Sequence, residues 1–186
     1  MMRLSEAAAM LGVPFSGSDA EVMRISTDSR SIQPGDLFIA LRGDKFDGGS
    51  FAAQALQQGA AGVVLDHRQA PEIVSAIRVD DTRLALGQLA AAWRRRFAIP
   101  VIAITGSNGK TTVKEMLAAI LRVEAGVDDA VLSTEGNLNN DIGLPLMLLR
   151  LRDTHHFAAL EMGMNHAGEI DYLTNLAHPD VAVINN

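Results

Sequence analysis

The segment with the clearest chemistry is a glycine-rich loop that ends in a lysine and a threonine. It reads Thr105-Gly106-Ser107-Asn108-Gly109-Lys110-Thr111-Thr112 and lies between an apolar β-rich run and a helix-forming stretch. Glycines let consecutive backbone N–H groups turn around an anion, and a helix N-terminus adds partial positive charge. Lys110 can reach the β- and γ-phosphates of a nucleotide, and Thr111 can ligate Mg²⁺. The predicted nucleotide-binding residues are Gly106, Ser107, Asn108, Gly109, Lys110, Thr111 and Thr112.

This loop is shorter than the strict G-x-x-x-x-G-K-[ST] pattern, whose first glycine falls on Ile104. Gly106 instead begins a shorter G-x-x-G-K-T loop. The alternative interpretation is a plain turn followed by a solvated Lys110. The strand before the loop and the helix after it favour a phosphate site.

The elements around the loop predict a mostly parallel sheet. Near-continuous apolar runs, separated by helical stretches, are typical of strands covered on both faces. The runs cover residues 101–104, 130–132, 157–160 and 181–184. Polar segments follow them, at residues 105–112, 133–140, 161–166 and 185–186. Ligands of such sheets bind beyond the carboxyl ends of the strands, so we predict one cleft that collects all four segments.

The first part of the chain predicts a separate small α/β unit. Helices are expected over residues 4–11 and 50–58, and a third runs from 81 or 82 to 97. Strands are expected over residues 22–26, 37–41, 62–66 and 76–79. A turn at Pro34-Gly35 separates the first two strands, since Pro presets φ and Gly supplies the left-handed turn residue. The predicted domains are residues 1–80 and 81–186.

Composition excludes several classes of protein. The chain has 186 residues, 48% of them apolar, and its 16 Lys+Arg and 22 Asp+Glu give a net charge of −6. This balance argues against nucleic acid or an anionic membrane as partner. The sequence has no cysteine, which excludes thiolate chemistry, and no apolar run of spanning length, so we expect a cytoplasmic protein. The apolar run at 181–184 has no covering helix after it, so we expect the front part of a longer polypeptide.

Together the motifs resemble the Mur ligase family, the ATP-dependent amide-bond-forming enzymes of peptidoglycan synthesis. The loop at 105–112 is similar to the shortened phosphate loop of that family. Asp28-Ser29-Arg30 and the segment at 34–48 are similar to its uridine-diphosphate-binding domain. The segments at 136–145 and 161–170 resemble the member that adds D-alanyl-D-alanine. This combination is far more specific than the phosphate loop alone.

The resemblance implies a fold with an N-terminal nucleotide-sugar domain, a central P-loop ATPase domain and a C-terminal Rossmann-like domain. On this resemblance we expect residues 1–80 to correspond to the first domain and residues 81–186 to an incomplete second domain, with the third outside these residues. This chain alone is therefore not expected to complete the reaction.

The resemblance also implies the chemistry. ATP phosphorylates the carboxylate of UDP-N-acetylmuramoyl-tripeptide, and the amine of D-alanyl-D-alanine attacks the acyl phosphate. Lys110 and Glu161 are the expected catalytic residues, Thr111 and Glu161 the expected ligands of Mg²⁺, and ATP and Mg²⁺ the expected cofactors. A monomer is expected, without nucleic acid or membrane insertion.

Candidate substrate-binding residues lie in both parts of the chain. Asn137, Asn139 and Asn140, and with less weight Asn165, suit the tripeptide arm because amides both donate and accept; the alternative is turn geometry. Ser29 and Arg30 suit uracil or the diphosphate, although Arg30 can instead pair with Asp28 or Asp36. Lys45 is either a phosphate neighbour or a solvated loop lysine.

Three other functions remain open at this stage. A folylpolyglutamate synthetase-like ligase shares the central domain, but the segment at 28–30 argues against it. A non-catalytic nucleotide-binding module also fits these 186 residues. A generic small-molecule kinase leaves the Asn cluster unexplained.

Overall fold

The computed structural model describes residues 1–43, 46–70, 72–73 and 76–186. The chain divides into two compact units, Met1–Leu89 and Ala90–Asn186. The division falls inside a helix over residues 82–94, which begins just after the predicted boundary at residue 80. Each unit has its own parallel sheet, so the expectation of an α/β protein with mostly parallel sheets is confirmed.

The first unit is built around a four-stranded parallel sheet. Its elements in chain order are β1 (Met2–Arg3), α1 (Leu4–Met10), β2 (Glu21–Val22), β3 (Arg24–Ser26), β4 (Asp36–Ile39), β5 (Arg42–Gly43), β6 (Phe46–Asp47), α2 (Ala52–Gln57), β7 (Gly62–Asp66), β8 (Ile77–Val79) and the start of α3 (Thr82–Arg94). The strand order is β3-β4-β7-β8, and β1 with β2 and β5 with β6 form short antiparallel pairs.

The apolar strands of this sheet explain its core. Phe38 and Leu65, from neighbouring strands β4 and β7, pack with Ala52 and Ala55 of α2. Both large side chains are at most 1% exposed. Small residues on the covering helix let it approach the sheet closely, so the helix covers one face of the sheet.

The predicted strand over residues 22–26 is wrong in one respect, because it is two strands in different sheets. Val22 pairs with Met2, whereas Ile25 pairs with Leu37. Between them, the backbone N–H of Met23 donates to the carbonyl of Gly35 in the neighbouring turn. A run of β-forming residues indicates extended backbone but does not choose the partner strand.

The second unit contains the other four-stranded sheet, in which every pairing is parallel. Its elements are β9 (Val101–Gly106), α4 (Lys110–Ala125), β10 (Val131–Ser133), α5 (Gly143–Leu148), β11 (Phe157–Glu161), α6 (Glu169–Ala177) and β12 (Val181–Asn185). The strand order is β10-β11-β9-β12. All four predicted strands of this unit are present, each ending one residue or more later than predicted, because pairing continues into the polar segments.

Helix α4 lies against this sheet. Its Ala118 packs with Ile104, Val131 and Ala159, which belong to three neighbouring strands. This contact fixes the start of α4 next to the carboxyl end of β9. Among the described residues, no helix is long and apolar enough to cross a membrane.

Candidate functional site

A cavity of about 880 Å³ lies at the carboxyl ends of the strands of the second unit. Segments that follow β9, β10 and β11 line it, and Ile184 of β12 completes the wall. Asn185 and Asn186, which follow Ile184, bond to the glycine-rich loop. The structure therefore brings together the four polar segments that the sequence placed in one cleft.

The glycine-rich loop requires its two glycines. Gly106 has a φ of 137°, and a Cβ at this position would lie 1.6 Å from the carbonyl oxygen of Asn185. Gly109 has a φ of 69° and directly precedes α4. The Asn185 amide donates to the carbonyl of Asn108 at 2.8 Å, and the Ser107 hydroxyl donates to the Asn186 side chain at 2.7 Å. The residues at the end of β12 thus hold the glycine-rich loop in place by hydrogen bonds.

Lys110 and Thr111 occupy the first turn of α4 and face different partners. The Lys110 ammonium donates to the carbonyl of Gly106 at 2.8 Å and lines the cavity. The Thr111 hydroxyl donates to Oε2 of Glu161 at 2.9 Å. Thr112 is exposed in the same turn. A cation, a hydroxyl and a carboxylate therefore meet beside the loop.

Glu161 is the buried carboxylate of this site, with 3% of its surface exposed. Its Oε1 accepts from the Asn139 amide at 2.8 Å, and its backbone N–H donates to the Thr134 hydroxyl at 2.8 Å. The two carboxylate oxygens thus accept from neutral donors. In the described ranges, neither of these two bonds comes from a cationic side chain.

The donor set fits Mg²⁺. This ion prefers oxygen ligands and takes one or two from the protein, with the rest from phosphates and water. Glu161 and Thr111 provide two such oxygens next to a loop suited to phosphates. In the described ranges no group of three His, Cys, Asp or Glu residues is placed to hold a metal.

The four candidate asparagines all line the cavity. Asn140 also serves local geometry, because its side-chain oxygen accepts from the backbone N–H of Gly143 at 2.8 Å. The Asn139 amide is committed to Glu161. Asn165 donates its backbone N–H to Glu169 at 2.6 Å. Their contact with a substrate stays a prediction.

His166 forms an exposed pair with Glu169, at 3.1 Å from ring nitrogen to carboxylate. The Asn165 backbone N–H, the His166 ring and the His166 N–H lower the pKa of Glu169 from 4.5 to about 2. The histidine thus has a local partner in its loop.

A second cavity of about 450 Å³ lies in the first unit. Ser29 and Arg30 line it together with Phe46 and Phe51, whose rings stack with centroids 5.9 Å apart. Arg30 bonds Asp28 at 2.7 Å, and this guanidinium, with the Arg30 N–H, lowers the pKa of Asp28 to about 2. Of the two sequence-based roles for Arg30, the structure shows pairing with Asp28. Lys45 lies outside the described residues.

Sequence analysis missed two residues that support Glu161. Thr134 and Lys114 are 1% and 2% exposed, and the Lys114 ammonium donates to the carbonyl of Thr134 at 2.8 Å. A lysine on an amphipathic helix is normally solvated, so nothing in the sequence distinguished this one.

Known proteins match both units. The family model "Mur ligase family, catalytic domain" matches residues 21–94, and "Mur ligase middle domain" matches residues 104–186. The UDP-N-acetylmuramoyl-tripeptide–D-alanyl-D-alanine ligase of Haemophilus influenzae is 46% identical over the whole chain, which covers 41% of that protein.

Solved structures agree. MurF from Acinetobacter baumannii superposes with a TM-score of 0.85 and 42% identity, over 97% of this chain and 40% of its own. MurF from Thermotoga maritima in complex with ADP gives a TM-score of 0.77 and 34% identity, over 87% of this chain and 36% of its own. The chain thus spans about two fifths of the length of these relatives. On sequence and structure together, the chain belongs to the Mur ligase family.

Proposed function

We propose that this chain carries the nucleotide-sugar-binding and ATP-binding parts of a ligase that adds D-alanyl-D-alanine to UDP-N-acetylmuramoyl-tripeptide. The observation that carries the proposal is the 2.9 Å contact between the Thr111 hydroxyl and the buried Glu161 carboxylate, beside Lys110 and the glycine-rich loop. The names of the relatives supply the substrates, and the ADP complex of one relative supports ATP.

The roles of the residues follow from their positions. Backbone N–H groups of the loop hold the phosphates, and Lys110 offsets the negative charge of the γ-phosphate during transfer. Thr111 and Glu161 would hold Mg²⁺, which when bound neutralises further phosphate charge. A substrate carboxylate then attacks the γ-phosphorus and ADP leaves; the amine of the dipeptide displaces phosphate from the acyl phosphate and loses a proton.

The remaining candidates position the acceptor substrate. Asn137, Asn139, Asn140 and Asn165 face the cavity and would hold the peptide arm next to the γ-phosphate. Ser29 and Arg30 would bind the uridine diphosphate in the cavity of the first unit. The proposal includes a cytoplasmic, monomeric protein.

Calorimetric titration with ATP, with and without Mg²⁺, tests the nucleotide site. We expect Lys110→Ala to weaken MgATP binding by about 2 kcal/mol, because a charge-assisted hydrogen bond to phosphate is lost. Binding of MgATP that is unchanged in this variant would contradict the assignment of the phosphate loop.

A second titration tests the substrate. UDP-N-acetylmuramoyl-tripeptide should bind and UDP-glucose should bind much more weakly. Ser29→Ala should weaken binding of the muramoyl tripeptide, because the hydroxyl that faces the uridine diphosphate is lost. Equal affinity for the two UDP-sugars would show that the chain does not recognise the muramoyl tripeptide.

A further inference from the structure

Lys114 is a buried cation that the proposed chemistry does not use. It lies on α4, one turn after Thr111, and 2% of its surface is exposed. Its ammonium donates to the carbonyl of Thr134 at 2.8 Å and also contacts the Glu115 carboxylate. The Glu115 side chain is 58% exposed, so water screens the ion pair, whereas the bond to Thr134 is buried.

Thr134 connects this lysine to the candidate magnesium ligand. Its carbonyl accepts from Lys114, and its hydroxyl accepts from the backbone N–H of Glu161 at 2.8 Å. The Glu161 carboxylate in turn accepts from Thr111, on the same helix as Lys114. These contacts form a closed ring from helix α4 to the end of β10, to the end of β11 and back to α4.

Stability alone does not explain a lysine at this position. Removing an ammonium from water is costly, and one hydrogen bond to a neutral carbonyl offsets only part of that cost. Residues that hold metal ligands in place, in contrast, often control metal affinity. Lys114 is bonded to Thr134, which in turn holds Glu161, so it matches the role of holding a metal ligand in place.

We propose that Lys114 is a positioning residue for the Thr111–Glu161 pair. Through Thr134 it fixes the end of β11 against the first turns of α4, and so sets how strongly Mg²⁺ increases nucleotide affinity. The proposal rests on the proposed function for the identity of the ligand, but its geometric part concerns the ligand-free protein.

The first test measures amide hydrogen exchange in the ligand-free chain. Lys114→Met keeps the length and bulk of the stem and removes the donor. We expect the Glu161 amide to exchange about tenfold faster, because its acceptor Thr134 is no longer held. The amide of Ala103, in the middle of β9, should keep its rate. An unchanged rate at Glu161, or an equal increase at both amides, would overturn the proposal.

The second test measures ADP affinity with and without Mg²⁺. Lys114→Met should reduce the gain in affinity from Mg²⁺ by about tenfold while leaving affinity in EDTA unchanged. Equal losses in both conditions would overturn the proposal. Thr134→Val removes the hydroxyl on the same path, so the double variant should lose no more than the stronger single variant; additive losses would also count against the ring.

Arg94→Met is the matched control. Arg94 is also a buried cation of the second unit, and its guanidinium donates to the carbonyls of Ala177, Phe97 and Ile99. Its loss should lower thermal stability without changing the effect of Mg²⁺. If the wild-type chain shows no Mg²⁺-dependent nucleotide binding, the proposed function fails, while the exchange rate at Glu161 still decides whether Lys114 positions this strand end.

Discussion

The two units of this chain have the same kind of sheet but use the acidic residue at a strand end differently. Asp66 is the last residue of β7 and Glu161 the last residue of β11, and both are at most 3% exposed. Asp66 accepts from the guanidinium groups of Arg42 and Arg68 at 3.1 and 3.4 Å. Glu161 accepts from a hydroxyl and an amide. In the part of the chain that the structure describes, Asp66 is thus bonded to two cationic side chains, and the side-chain donors to Glu161 are neutral.

The two units also differ in how closely other atoms approach a glycine in a turn. A Cβ on Gly35, in the first unit, would meet the flexible side chain of Met23 at 2.8 Å, whereas a Cβ on Gly106 would meet backbone. A parallel sheet supplies the place for a ligand at its strand ends. The charge of the groups bonded there, and how tightly the backbone packs, affect which ligand chemistry that place supports.

The largest effect is expected from alanine at the two glycines. Gly106→Ala forces a Cβ into the Asn185 carbonyl, so we expect a loss of about 3 kcal/mol or more in the stability of the second unit. Gly35→Ala places a Cβ in left-handed backbone and against the Met23 side chain, which can move away, so we expect it to lower stability by only about 1 kcal/mol. Urea unfolding followed by Trp93 fluorescence reports on the second unit, and circular dichroism on both. Similar losses at the two positions would remove this contrast between the units.

An intermediate effect is expected from neutralising the two carboxylates. Asp66→Asn should destabilise the first unit by about 2 kcal/mol, because two arginines lose their partner while remaining partly solvated. Glu161→Gln should change stability by less than about 1 kcal/mol, because the glutamine oxygen still accepts from Asn139 and its NH2 group can donate to the Thr111 hydroxyl, which also accepts. It should instead remove the Mg²⁺-dependent part of ATP affinity. Calorimetry and urea unfolding of both variants provide the check.

The opposite pattern, with a stable Asp66→Asn and a destabilised Glu161→Gln, would mean that the carboxylate of the second unit is structural. Glutamine and asparagine keep the size of the original side chains, so packing changes do not confuse the comparison.

The smallest effects concern two exposed carboxylates whose pKa is about 2. The Arg30 guanidinium is the main cause for Asp28, whereas the Asn165 backbone N–H is the main cause for Glu169. Arg30→Met should therefore return the pKa of Asp28 most of the way to 3.8, while His166→Ala should raise the pKa of Glu169 less. NMR titration of the carboxyl carbons measures both. A larger rise at Glu169 than at Asp28 would contradict the assigned causes.

The sign of the linked stability follows from these pKa values. Both pKa values are lower in the folded protein than the ordinary values of 3.8 and 4.5. Each ionised carboxylate therefore stabilises the fold when the pH is above its ordinary pKa. This contribution is lost as pH falls from that value toward about 2. Arg30→Met should thus lower thermal stability at neutral pH, and this difference from the wild type should disappear near pH 2. The difference should be small because the Asp28–Arg30 pair is exposed.

Sequence reasoning succeeded where the signal is contiguous. The loop at 105–112 contains its glycines, lysine and threonine within eight residues, between elements of clear period, so its place between a strand and a helix was predictable; phosphate binding stays a prediction. Glu161 could be selected as a candidate because it ends an apolar run and lies in a segment that resembles the family. The split of the strand at 22–26 was not predictable, since extended backbone alone does not select a partner.

The sequence by itself determined the alternation of apolar runs and helices, the phosphate loop and the gathering of polar segments at strand ends, because these depend on neighbours in the chain. Tertiary structure alone decided which charges are satisfied. Asp66 meets Arg42, and Lys114 reaches Thr134, only through folding, over separations of 24 and 20 residues. Burial and hydrogen-bond geometry, which pair one carboxylate with arginines and the other with a hydroxyl and an amide, exist only once the strands lie side by side.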